Sequence, residues 1–139
     1  MNKKLLATSL SIIEKSNYTI IASVDEDGFP NLKAMLKPRE HDGLKTFYFT
    51  TNTSSLRVKQ FKRNPQAAIY FYDGRSFLGL MLKGKMEVLE DQNHKDKIWR
   101  AGDEMYYSQG KTDPDYCVLK FTAEAARLYQ NFSSESFAI

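Results

Sequence analysis

The sequence predicts a mainly β protein, an antiparallel β-barrel of about six strands with helices at its periphery. Runs of β-branched and aromatic residues are separated by tight turn signals, namely Asp25-Glu26-Asp27-Gly28, His41-Asp42-Gly43 and Asp73-Gly74. Links this short force antiparallel pairing, because a parallel neighbour needs a long crossover. Aromatic residues make up 13% of the chain, with nine Phe and eight Tyr, which suits a pleated, half-buried surface. A sheet of this size usually removes its edges by closing into a barrel.

The elements follow in order. Leu5, Leu6, Leu10, Ile12 and Ile13 recur at helical spacing and predict an amphipathic helix over 3–16. Residues 18–24 read as a strand, and 30–37 as its return after the hairpin turn at Gly28. In that return strand Lys33, Met35 and Lys37 share one face and Leu32, Ala34 and Leu36 the other. The apolar set is expected to face the core. A strand over 46–51 leads into a helix over 54–63, which Asn64-Pro65 stops. Strands follow over 66–72 and 77–89, the second carrying Gly79 and Gly84 as signs of bends or bulges. Helix signals run from Asp91 to Tyr107, residues 110–114 form a loop, and a last strand over 116–122 resumes at 126–131. With no repeat and no linker, residues 1–139 are expected to form one domain.

Composition excludes several classes. The net charge of +3 and the absence of a dense Lys/Arg run argue against nucleic acid. No stretch is long enough to span a membrane, and the N-terminus lacks a signal-peptide pattern. Cys117 is the single cysteine and lies in an apolar run, so it reads as a core residue in a reducing compartment, the cytoplasm. His41 and His94 have no partner at metal-ligand spacing. The patterns of a nucleophile elbow, a P-loop and a dinucleotide fingerprint are absent.

The most informative stretch is Phe47 to Pro65. An aromatic strand runs into a hydroxyl-rich turn (Thr50, Thr51, Thr53, Ser54, Ser55) that opens a short basic helix. The first N–H groups of a helix lack partners, and its dipole favours an anion there. Arg57 and Lys59 lie in the first turn or so, where basic residues are unfavourable for the helix alone and favourable beside a phosphate. Lys33, on a neighbouring strand, would be a second cation for the same anion. Hydroxyl residues before a helix are also ordinary caps.

Taken with residues 24–35, 82–91, 98–111 and 113–122, this stretch resembles the FMN-binding split-barrel family related to pyridoxamine 5′-phosphate oxidase, and within it the general stress protein 26-like branch. The resemblance implies a six-stranded antiparallel split barrel that forms a homodimer with FMN at the subunit interface. It places Lys33 near the phosphate and ribityl chain, and Ala34 and Met35 along the flavin. Thr50 and Thr51 would lie beside the phosphate, which Ser55 and Arg57 would grip. Leu56 stands where the family often has a further basic residue. Tyr106 and Tyr107 would approach the isoalloxazine ring, while Trp99 reads as the core anchor of its helix. The oxidases themselves carry a C-terminal segment that holds substrate, and a flavin-contacting glutamine that falls near Gly79 here. The chain ends at Ile139 without such a segment, so vitamin B6 oxidation is not expected. The implied function is an FMN-dependent oxidoreductase that passes electrons from a reduced donor such as NAD(P)H to an unknown small acceptor, with no catalytic side chain identifiable. The alternative is a non-catalytic protein that stores or senses flavin. Haem is disfavoured, since neither histidine is placed as an axial ligand.

Overall fold

The structure, a computed structural model, describes residues 2–139. Asn2 caps the first helix, α1 (Lys3–Lys15), by accepting from the Lys4 and Leu5 N–H groups. The strands β1 (Tyr18–Val24) and β2 (Pro30–Leu36) form a hairpin. Next come β3 (Glu40–Asp42), β4 (Thr46–Asn52) and the helix α2 (Leu56–Arg63). Then follow β5 (Gln66–Asp73), β6 (Leu78–Leu89), α3 (Gln92–Ile98), β7 (Tyr116–Gln130) and β8 (Ser133–Ala138). All ladders are antiparallel, in the order β2-β1-β5-β6-β7-β4-β3, with β8 pairing alongside β7. No helix is long and apolar enough to cross a membrane.

Several expectations are corrected. The sheet has eight strands rather than six. The predicted turn at His41-Asp42-Gly43 contains a short strand, β3, and the turn itself closes through the Lys45 N–H to the Asp42 carbonyl. The two pieces of the last strand are one 15-residue strand, and the polar tail beyond it folds back as β8. A serine-rich edge strand carries no alternating pattern to read. The barrel does not close: among the described residues no ladder joins the end strands β2 and β3. The helix expected over 91–107 stops at Ile98, and Gly102 then turns the chain at φ 97° into a short 3₁₀ turn at Asp103–Met105.

The face of β2 is also the reverse of that expected. Leu32 and Leu36 are 73% and 58% exposed, and Ala34 is exposed with them. Met35 instead packs against the core from the Lys33 side of the strand. The hairpin register explains this. Met35 pairs with Thr19, which is buried, whereas Leu36 pairs with Tyr18, which is 56% exposed.

The core lies between the sheet and the helices α1 and α2. Phe47, Phe49, Phe71 and Phe121 meet Ile12 and Ile13 of α1, with Val58 and Phe61 of α2 on another flank. Each such side chain contributes about 1.5–3 kcal/mol on full burial. A bulge at Lys83/Gly84 lets β6 follow the curvature. Gly84 is required there, since a Cβ would lie 2.0 Å from the Thr122 carbonyl oxygen.

Candidate functional site: a cleft in the open side of the barrel

Where the barrel fails to close, a cleft of about 370 Å³ lies between β2 and β4, whose strands share no ladder. From β2 it is lined by Lys33, Ala34, Met35 and Leu36, and from β4 by Phe49, Thr50, Thr51 and Asn52. Lys37, Arg39, Tyr106 and Tyr107 complete the wall. Three of the predicted groups, Lys33-Ala34-Met35, Thr50-Thr51 and Tyr106-Tyr107, thus stand around one space. A larger groove of about 810 Å³ between α1 and the β5–β6 turn holds none of the predicted residues.

Ser55 and Arg57 do not line the cleft; they open α2, just beyond Asn52. Ser55 is the helix N-cap, its hydroxyl accepting from the Val58 N–H at 3.4 Å. The Leu56 and Arg57 N–H groups find no acceptor among the described residues. Asp115 serves much of the turn before them. Its carboxylate accepts from the Ser54 N–H (2.8 Å) and the Asn52 amide (2.9 Å), and its carbonyl from the Thr53 N–H. These donors, Ser54 foremost, hold the Asp115 carboxyl below the ordinary carboxylate range. Nothing in the sequence around Asp115 signals that role, which arises from pairing of β4 with β7.

A buried polar chain ties α2 to the β1–β2 hairpin. Gln60, 6% exposed, accepts from the Ser23 hydroxyl and donates to Asn31 Oδ1 at 3.1 Å. Asn31 in turn donates to Asp25 Oδ2 at 3.0 Å. The middle of α2 and the Lys33 strand are therefore tied together.

Tyr106 is 51% exposed, whereas Tyr107 is buried against Tyr116, with ring centroids 4.7 Å apart. Burial pushes the Tyr107 phenol up, against a smaller opposing effect of the Thr50 hydroxyl. Trp99 packs against Tyr107 and Tyr116 and is the aromatic anchor expected. Arg39, which the sequence reading passed over, is paired with Asp103 at 2.8 Å through both nitrogens. No Asp, Glu or His lines the cleft.

The family model described as pyridoxamine 5′-phosphate oxidase matches residues 6–130. The chain belongs to this family. The family is the FMN-binding split-barrel one that the sequence motifs resemble, and the general stress protein 26-related branch is also borne out. A crystal structure from Clostridium acetobutylicum, of a protein related to general stress protein 26 of B. subtilis, is 40% identical. The alignment covers 100% of this chain and 97% of that one, with a TM-score of 0.92. A pyridoxamine 5′-phosphate oxidase-related, FMN binding protein from Nostoc punctiforme shares the fold at 17% identity, a TM-score of 0.70 and coverage of 99% and 95%. Among curated proteins, the pyridoxine/pyridoxamine 5′-phosphate oxidase of Legionella pneumophila is 28% identical over 91 residues, or 64% of this chain. This pyridoxamine 5′-phosphate oxidase family member spans only 41% of the length of that relative.

Proposed function

We propose that the chain is an FMN-binding flavoprotein, an oxidoreductase that takes electrons from a reduced donor such as NAD(P)H and passes them to a small acceptor. One observation carries the reading: Lys33-Ala34-Met35, Thr50-Thr51 and Tyr106-Tyr107 meet around one cleft of about 370 Å³. That volume falls within the range of about 300–1,000 Å³ usual for small-ligand sites. The donor chemistry fits the cofactor. Lys33 and the hydroxyls of Thr50 and Thr51 would hold the polar chain. Arg57 and the unpaired N–H groups at the start of α2 would hold the phosphate. Met35, Phe49 and the tyrosines would bound the ring. Bound FMN supplies hydride and electron transfer; the chain's own residues bind it, orient it and limit water around it.

The proposed assembly is a homodimer with FMN at the interface. Its support is the uncovered outward face of β1 and β2, where Tyr18, Leu32 and Leu36 are all more than half exposed. Ala34 and Leu36 belong both to that exposed face and to the cleft lining, so a second copy seated there would also cover the cleft mouth. The buried, free Cys117 suits a cytoplasmic setting. Pyridoxamine phosphate oxidation stands outside the proposal. At Gly79 the Tyr70 hydroxyl fills the space, 2.1 Å from where a Cβ would sit, so no glutamine-like side chain reaches out there.

A second reading, a non-catalytic flavin store or sensor, is favoured by the absence of any Asp, Glu or His from the cleft lining. Two measurements test these readings. Purified protein should be yellow and release FMN on denaturation; colourless protein that takes up no added FMN refutes both. The loaded protein should then oxidise NADH or NADPH in steady state. Tight FMN binding without turnover on any donor leaves the store or sensor standing.

A further inference from the structure

The segment from Arg100 to Tyr107 forms one wall of the cleft, yet it contains no α-helix or strand to hold it in place. What fixes it is Asp103. Its carbonyl accepts the N–H groups of Tyr106 (2.9 Å) and Tyr107 (3.0 Å). Its carboxylate accepts the Arg100 N–H at 2.9 Å and the two-pronged guanidinium of Arg39 at 2.8 Å on each oxygen. The Arg100 side chain donates back to the Arg39 carbonyl, so the two stretches are laced in both directions. Arg39 is itself tied to β4, its N–H donating to the Tyr48 carbonyl at 2.8 Å. The pair is almost fully enclosed, with side chains 9% and 6% exposed. Burial works against the Asp103 carboxylate, but Arg39 and the Arg100 N–H prevail and hold it ionised below the ordinary range.

We infer that Arg39 and Asp103 are positioning residues of the cofactor cleft, a latch that sets the Tyr106-Tyr107 wall against the flavin ring. This rests on the flavin reading of the cleft. The latch is assigned to the ring, not to the phosphate, because the residues it holds, Tyr106 and Tyr107, are those that would bound the ring, and Arg57 is no part of the cleft lining. The forked geometry is what matters. A lysine in place of Arg39 keeps the charge and gives up the second hydrogen bond.

The variants Asp103→Asn, Arg39→Met, Arg39→Lys and the double variant Arg39→Met/Asp103→Asn test it, with thermal melts alongside to establish folding. In FMN-free protein, trypsin should cut after Lys97 or Arg100 faster in the first two variants than in the wild type. FMN and riboflavin dissociation constants should rise together, by about tenfold, the loss of one charge-assisted hydrogen bond. The fluorescence of bound flavin should also rise as the quenching phenol moves away. Arg39→Lys should fall between these and the wild type, and the double variant should be no worse than the poorer single one. Variants that melt at lower temperature but keep wild-type flavin affinity and fluorescence would show an ordinary structural ion pair and overturn the inference. A loss confined to FMN, with riboflavin unaffected, would also overturn it, by assigning the effect to the phosphate. If the wild type binds no flavin, the functional reading fails. Unchanged trypsin cutting would then separately show that the pair does not hold the segment.

Discussion

Arg57 and Leu56 stand side by side at the start of α2 with opposite prospects. Leu56 is 57% exposed and brings no charge to the helix start, while Arg57 is half-buried and makes no ion pair among the described residues. Under the proposed function Arg57→Ala weakens FMN binding by about 1.5–3 kcal/mol, the usual worth of a hydrogen bond to a charged group. Riboflavin, which lacks the phosphate, should bind Arg57→Ala as it binds the wild type. Equal losses in a fluorescence titration with both ligands would refute the phosphate assignment. Two glycines offer a second contrast. At Gly84 a new Cβ meets the Thr122 backbone at 2.0 Å, which cannot yield without opening the β6–β7 ladder. At Gly79 it meets the tip of Tyr70, a side chain that can rotate away. Gly84→Ala should therefore cost about 1–3 kcal/mol in urea melts, and Gly79→Ala clearly less. Single residues of this kind were partly legible in advance. Both glycines stood out in the sequence as bend signals, but the atoms that crowd them come from the strands paired on either side, β5 and β7.

Helix α2 is the element on which the site argument turns, and its supports are measurable. Ser55→Ala removes the cap and should cost about 0.5–2 kcal/mol. Gln60→Leu strips partners from both Ser23 and Asn31, leaving polar groups unsatisfied at about 1–3 kcal/mol. Asp115 adds a pH dependence of known sign. Its carboxyl titrates lower in the folded protein than in the unfolded chain, where it lies near about 3.9. The stability it brings is therefore complete above that value and is lost as pH falls through the lower, folded one. Melting temperatures of wild type and Asp115→Asn should differ at pH 6 and converge toward pH 2. Constant separation over that range would exclude the carboxylate as the stabilising group. The strand–turn–helix order around α2 was legible because hydroxyl residues, a basic run and Asn64-Pro65 punctuate it locally. Asp115 was not, since its role depends on the pairing of β7 with β4. The orientation of β2 misled for a related reason. An apolar trio on a strand normally faces the protein's own interior, and here it faces outward because Thr19, Ile21 and Ser23 of the partner strand take the inner side.

At the scale of the whole molecule, that outward face carries the dimer proposal. Leu32→Glu together with Tyr18→Lys places charges on it without touching the core or the cleft lining. Sedimentation should then give a monomer where the wild type gives a dimer, and FMN affinity should fall with it. A monomeric wild type that binds FMN fully would exclude the interface site. The order of the eight strands could not be read from hydrophobic pattern alone, because closure is decided by the ends of the sheet. The open seam between β2 and β4 has a further consequence. Strand β2 is hydrogen-bonded along one side only, to β1, and every second residue turns its backbone N–H and C=O toward the gap. Such a side is a template for any extended chain that meets it. Whatever fills the seam thus also shields it from stray strands, and protein purified without a ligand should self-associate through β2 more readily than ligand-filled protein.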